Sequence, residues 1–213
     1  MYIFWHGLSC VRMQGQDKDA VVVLNPFSQD AGMKSTKLTG DVVISSAPDV
    51  TFGAADTVKP RGEDKVILID TPGEYEAKSA FVYGIQARQD PHETTALYSV
   101  ELDGVTVGVL GSLKRSLNEA ELDLLGRIDI LMLPVGAHSV MGTRVAIEVI
   151  GQLEPRIVIP IHYALPECSI ELDPVETFLK EYGIKEPERL DKLKITKKDL
   201  PAEETKVIVL GVQ

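Results

Sequence analysis

Two apolar runs constrain this chain more than any other feature. Residues 128–135 and 156–161 are almost continuous in Ile, Leu, Val and Met, with Asp129 and Arg156 as the only charges. A strand with one wet face alternates polar and apolar residues, so runs like these are expected as strands covered on both faces. Between them, Ala146, Val149, Ile150 and Leu153 recur at helical spacing within residues 143–153. Strand, helix, strand is the resulting order, and it requires a layered α/β architecture.

The first half reads differently. Short Val- and Ile-rich segments at residues 2–4, 11–14, 20–24, 41–45, 65–69 and 80–87 are punctuated by Gly, Pro, Asn and Asp. Residues 97–102 and 106–110 flank Asp103-Gly104, the dipeptide that suits a tight hairpin turn. A β-meander is expected there. Ser116 and Glu119 stand at capping-box spacing ahead of Leu122, Leu124 and Leu125, which predicts a helix running to Gly126. A last amphipathic helix is expected at 174–182, stopped by Gly183, with a closing strand at 206–210. The expected fold is therefore one domain over 1–213, a four-layered αββα sandwich of two mixed sheets with helices outside.

Composition narrows the function. With 22 basic against 32 acidic residues, the net charge is −10, and no basic stripe is present to track phosphates. Nucleic acid is not an expected partner. The apolar runs fall short of the roughly 20 residues that span a bilayer, and Met1 leads straight into a strand-like segment without a basic start. Cys10 and Cys168 fit no C-x-x-C pattern, so reduced thiols and a cytoplasmic location are expected. Any imidazole-built metal site must draw on His6, His92, His138 and His162 alone.

Five segments carry a resemblance to a known family. They are Trp5-His6-Gly7-Leu8-Ser9-Cys10, Asn25-Pro26-Phe27, Pro72-Gly73-Glu74-Tyr75-Glu76, Leu133-Pro134-Val135-Gly136 followed by Ala146, and Pro160-Ile161-His162-Tyr163. Together they resemble the metallo-β-lactamase superfamily, in particular its small bacterial predicted zinc-dependent hydrolases, along nearly the whole chain. That resemblance implies the αββα fold and metal-dependent hydrolysis, in which a metal-bound water of lowered pKa is the nucleophile.

The same resemblance locates the ligands. The family presents H-x-H-x-D-H after a buried strand, a His before a hairpin, an Asp in a G-D turn and a His at a strand end. Aligned without gaps after residues 41–46, this chain puts Ala47, Asp49, Thr51 and Phe52 at the first motif. A shift of two that keeps Asp49 as the aspartate puts Ser45, Ala47 and Val50 at the histidines. Gln89 stands at the next ligand and Ser112 at the aspartate, and only His162 is retained. One imidazole among amides and hydroxyls does not make a zinc site, so no metal is expected, although zinc is the family's cofactor.

The pocket at the former ligand positions is thus Ala47, Asp49, Thr51, Phe52, Gln89, Ser112 and His162. The expectation is a degenerate, non-catalytic or weakly catalytic protein that binds a small ligand or another protein, with a homo-oligomer as one such assembly. The alternative is a phosphodiester or ester/lactone hydrolase with a mononuclear site rebuilt around His162, using Asp49 and His92. Each residue also has a structural reading: His162 as a buried hydrogen-bonding group, Asp49 as a turn former, Pro72–Glu76 as a fixed turn anchored by Tyr75 and Cys10 as a small core residue. Ser45 or Ser46 with His162 would form a hydrolytic pair only with an orienting acid and an oxyanion hole.

Overall fold

The computed structural model describes residues 1–34, 37–49, 51–90 and 92–213. Strands β1 (Tyr2–Trp5), β2 (Val11–Gln14) and β3 (Val21–Leu24) form an antiparallel meander. Of the next four, β4 (Leu38–Gly40) and β6 (Val58–Pro60) pair as a separate parallel ladder. β5 (Val42–Ile44) and β7 (Ile67–Ile69) extend the first sheet, parallel to β3. The expected meander therefore breaks here. Residues 25–41 and 45–66 are crossovers that return the chain to the same end, which parallel pairing requires.

A second meander follows: β8 (Gly73–Ala77), β9 (Ala80–Arg88), β10 (Thr94–Leu102) and β11 (Val105–Val109). After it come α1 (Glu119–Leu125), β12 (Ile130–Pro134), α2 (Thr143–Leu153), β13 (Ile157–Ile161) and α3 (Val175–Tyr182). The chain closes with β14 (Glu188–Leu190), β15 (Leu193–Lys194) and β16 (Lys206–Leu210). The six-stranded sheet has the order β15-β1-β2-β3-β5-β7, and the eight-stranded sheet β14-β16-β13-β12-β11-β10-β9-β8.

Side-chain alternation explains the layers. Val22, Leu24, Val42 and Ile44 turn into the main core with residues of the eight-stranded sheet, while Val23 and Val43 turn the other way. That second side is covered by Phe27, Ala31, Met33, Leu38, Val58 and Leu172, from turns and the β4–β6 ladder, so β3 and β5 are buried on both faces. β12 and β13 are wholly buried as well, as their unbroken apolar sequence demands. α1 packs on β9 and β10, and α2 packs against α3.

Two local expectations need correction. α1 is capped by Asn118 with Glu121, two residues later than Ser116 with Glu119. Ser116 instead donates to Glu148 and the Leu117 amide to Gln152, both on α2, while Arg115 holds Glu121. Tertiary bonds outcompeted the earlier cap. Residues 73–76 belong to β8 rather than to a turn, although the Tyr75 hydroxyl anchors the bend before it by donating to the carbonyls of Thr71 and Pro72.

Candidate functional site

The W-x-G-L-S-C and P-I-H-Y segments meet at one edge of the sandwich. After β1 the chain turns through Gly7 (φ 95°) and Leu8 (φ 45°), with the Cys10 amide donating to the Gly7 carbonyl. This presents the Leu8 carbonyl, which accepts from the Trp5 indole N–H at 2.9 Å and from the His162 amide at 2.9 Å. Trp5 also packs on Tyr163, with ring centroids 4.7 Å apart. Gly136, at the end of the segment after β12, lies so close that a Cβ there would stand 2.1 Å from the His162 carbonyl oxygen. The three motif segments around His162 are thus required by one another's backbones.

His162 itself is fully buried and takes a left-handed backbone (φ 53°) just past β13. Ala137 and His138 are left-handed too, as is Asn25 at the opposite strand end. Non-glycine residues in this region each carry on the order of 1 kcal/mol or more of strain, and such residues gather where a surrounding structure holds them for a reason. The imidazole Nδ1 lies 2.7 Å from the Ser9 hydroxyl and Nε2 lies 3.4 Å from that of Ser139. Phe52, itself buried, stacks on the ring at 5.5 Å and 11°. Burial lowers the His162 pKa to about 4, so the ring is neutral at pH 7.

The other positions that the resemblance sets against the family's ligands make structural contacts. Asp49 is exposed, and its carboxylate accepts from the amides of Thr51 at 2.7 Å and Phe52 at 3.0 Å, a turn that delivers Phe52 to His162. The Ala47 carbonyl accepts from the Ser45 hydroxyl, which also reaches the Phe52 carbonyl. Gln89 bridges loops, accepting from the Lys114 amide and donating to Glu93. The Ser112 amide donates to the Thr95 hydroxyl. Val50 lies outside the described residues. The structure thus joins Phe52 to His162 and spends Asp49, Gln89 and Ser112 on loop geometry.

Ser45 and Ser46 are not the partners of His162. Ser9 and Ser139 are, and sequence reasoning passed over both. Ser9 was visible inside the W-x-G-L-S-C segment, whereas nothing local marks Ser139. A second polar centre was also missed: Asn25 Oδ1 accepts from the Ser46 amide, while Asn25 Nδ2 and Ser46 Oγ are buried without a hydrogen-bond partner. His92 and His138 are exposed on loops. His6 is buried near Arg12, and burial first, then that guanidinium, lowers its pKa to about 4. Cys10 lies in the second core cluster, its thiol pKa raised by burial, and Cys10 and Cys168 are both free.

Comparison with known proteins gives the lineage. A family model for the β-lactamase superfamily domain matches residues 2–162. Over 196 residues the chain is 25% identical to a UPF0173 metal-dependent hydrolase of Thermoplasma acidophilum, covering 76% of this chain and 82% of that protein. Identity reaches 44% with a UPF0173 metal-dependent hydrolase of Pyrococcus furiosus, but over 68 residues, 31% of this chain and 30% of that protein. The chain thus spans about a third of the length of the first curated relatives it matches. A candidate Zn-dependent hydrolase of the metallo-β-lactamase superfamily from Thermotoga maritima superposes with a TM-score of 0.79 at 28% identity, covering 100% and 99% of the two chains. An isothiocyanate hydrolase from Delia radicum gut bacteria shares the fold at a TM-score of 0.62 and 11% identity, covering 92% and 100%.

The relatives' names point to a metal, and the donor set here does not fit one. Among the described residues no three His, Cys, Asp or Glu side chains gather as a metal site would need. The His162 imidazole has Nδ1 engaged by Ser9, Nε2 directed to a hydroxyl, and Phe52 across its face. No helix among the described residues is long and apolar enough to cross a membrane. By fold, motif placement and family match, this chain belongs to the β-lactamase superfamily.

Proposed function

We propose that this chain is a degenerate metallo-β-lactamase-fold protein that has lost its metal centre and water activation, and that it works by binding a partner protein. One observation carries the reading: Phe52 stands at a former ligand position and stacks on the fully buried His162. A ligand imidazole needs its Nε2 lone pair open to a metal; here that nitrogen faces the Ser139 hydroxyl at 3.4 Å inside a fully buried site, and Phe52 packs on the ring face. What surrounds His162 is a set of packing and hydrogen-bonding contacts that tie loop to loop. The Ser9 hydroxyl on Nδ1 holds the ring as an orienting neighbour holds a metal ligand, so the support outlasted the metal it served.

The packing around His162 weakens a small-ligand role at the ring itself. Of five surface cavities of 310 to 640 Å³, one of about 360 Å³ is lined by Trp5 and Tyr163 beside this edge, and none is lined by His162 or Phe52. Nor does a serine mechanism suit the geometry. Ser139 lies 3.4 Å from Nε2, a base of pKa about 4 abstracts protons weakly at pH 7, and the group orienting the ring is a hydroxyl in place of a carboxylate.

The competing reading, a hydrolase with a mononuclear site rebuilt around His162, rests on the relatives' names. The test is a panel of phosphodiester, ester and lactone substrates, with and without added Zn²⁺ or Mn²⁺. No turnover that depends on His162 is expected. Hydrolysis abolished by His162→Ala and untouched by the surface change Lys185→Gln would overturn the proposal.

A further inference from the structure

Where the eight-stranded sheet ends at β8, its outer face carries a trough of about 530 Å³. Strand register builds it in two rows. One row runs Glu76, Phe81, Glu101 and Thr106 across β8, β9, β10 and β11, and the other runs Glu74, Tyr83 and Ser99. Neighbouring strands stand about 4.8 Å apart, and rows two residues apart are separated by about 6.7 Å. Phe81 therefore lies between two carboxylates, one on each neighbouring strand, and Tyr83 has a third beside it. The Phe81 ring is 53% exposed, more than any other large apolar side chain described. Charge in the trough is one-sided. Glu74, Glu76 and Glu101 are exposed, and no hydrogen bond or ion pair among the described residues engages their side chains. Arg127 is the one cation of the lining, and its Nε is drawn to Asp129 at 3.6 Å. Carboxylates gathered around bare rings raise the energy of the free face, and a cation seated there lowers it.

We infer that this trough docks a basic segment of a partner protein, an extended stretch with arginines at alternate positions. A guanidinium stacks on an aromatic face while its rim donates to a carboxylate, and Phe81 between Glu76 and Glu101 offers both at once. An ammonium lacks that planar fork, so arginine is preferred to lysine. Extended backbone sets the spacing. Alternate residues of a strand project to one side about 6.7 Å apart, which is also the separation of Phe81 and Tyr83 along β9, so one arginine falls on each ring. A neutral or acidic segment would cover the three carboxylates without pairing them. A second copy of this chain fits less well, because its cations two residues apart are in use. Arg61, beside Lys59, is held by Asp41, while Lys192 and Lys194 lie over Tyr2 and Phe4 of their own chain. Thr106 stands at the start of β11 and Arg127 ahead of β12, whereas His162 follows β13, and these three strands run parallel. The trough is thus at the opposite end of the sheet from His162, and the inference goes beyond the reading of that site and stands whether or not a metal binds there.

Fluorescence anisotropy of the full chain with two labelled peptides of one composition, Gly-Arg-Ser-Arg-Gly and Gly-Arg-Arg-Ser-Gly, tests the inference. The first is expected to bind about fivefold more tightly than the second, whose arginines point to opposite sides when extended. Phe81→Ser, which changes no charge, weakens the first peptide about fivefold with the circular dichroism spectrum unaltered. Glu76→Gln combined with Glu101→Gln weakens it about tenfold. Glu203→Gln combined with Glu204→Gln makes the same charge change on exposed residues away from the trough, and weakens it by less than about twofold. Equal affinities for the two peptides, no effect of Phe81→Ser, or equal losses in the two glutamine pairs would make net charge the cause and overturn the inference. No binding of either peptide up to about 5 mM would overturn it too. So would self-association in sedimentation equilibrium that Phe81→Ser abolishes, since the occupant would then be a second copy. Each of these results is read without metal or turnover, so a failure here leaves the account of His162 untouched.

Discussion

Two edges of this sandwich break the ordinary rules of burial in opposite directions. At one, a histidine is 0% exposed amid left-handed backbone; at the other, an isoleucine and a leucine are 41% and 48% exposed on a sheet margin. The polar group sits where the core should be, and the apolar groups sit where water should be. The difference teaches how each departure is to be read. A buried imidazole with a hydroxyl on Nδ1 and an aromatic ring on its face is already provided for, so its role is internal. Exposed apolar groups beside outward N–H and C=O groups have no backbone partner among the described residues, so they face solvent.

Changes at the sealed edge are expected to act on stability. Phe52→Ala removes a buried ring and leaves a void beside His162; a loss of about 3 to 5 kcal/mol is expected in urea unfolding, and a loss below about 1 kcal/mol would show that Phe52 does not seal the edge. Acid acts next. His162 has its folded pKa lowered to about 4 from 6.5, so the unfolded chain binds the proton that the folded chain refuses. Stability is then undiminished above pH 6.5 and falls as pH drops from 6.5 towards 4, by on the order of 3 kcal/mol from this ring. His6 adds a fall in the same window and direction. His162→Gln should flatten part of the slope between pH 6.5 and 4 in denaturant titrations, and an unchanged slope would remove His162 as its source.

Much of this was legible in the sequence. Continuous apolar runs predicted β12 and β13, Asp103-Gly104 predicted the β10–β11 hairpin, and α2 and β16 stand where periodicity placed them. Asp49 is the turn former that Pro48-Asp49 suggested. What escaped were features set by distant partners. β4, β6 and β14 are three residues long and too short to show a period. Ser9 and Ser139 lie 153 and 23 residues from the imidazole they bond. No local pattern announces such a contact.

Smaller effects sharpen the contrast. Ser9→Ala strips the Nδ1 partner from a fully buried ring, and a loss of about 1 to 3 kcal/mol is expected, with Ser9→Thr restoring part of it. A neutral result would mean that the ring is oriented by Phe52 alone. At the open edge, Leu68→Asp should change stability by no more than about 0.5 kcal/mol in urea unfolding. A large loss there would make Leu68 a core residue and erase the distinction between the edges.

The central claim is that the His162 edge no longer holds a metal, and metal content tests it most directly. Protein purified without chelator and without a His tag is measured by inductively coupled plasma mass spectrometry, beside His162→Ala. Zinc, manganese and iron well below stoichiometric, and the same in both proteins, are predicted. About one equivalent of any of them in the wild type, lost in His162→Ala, would contradict the account.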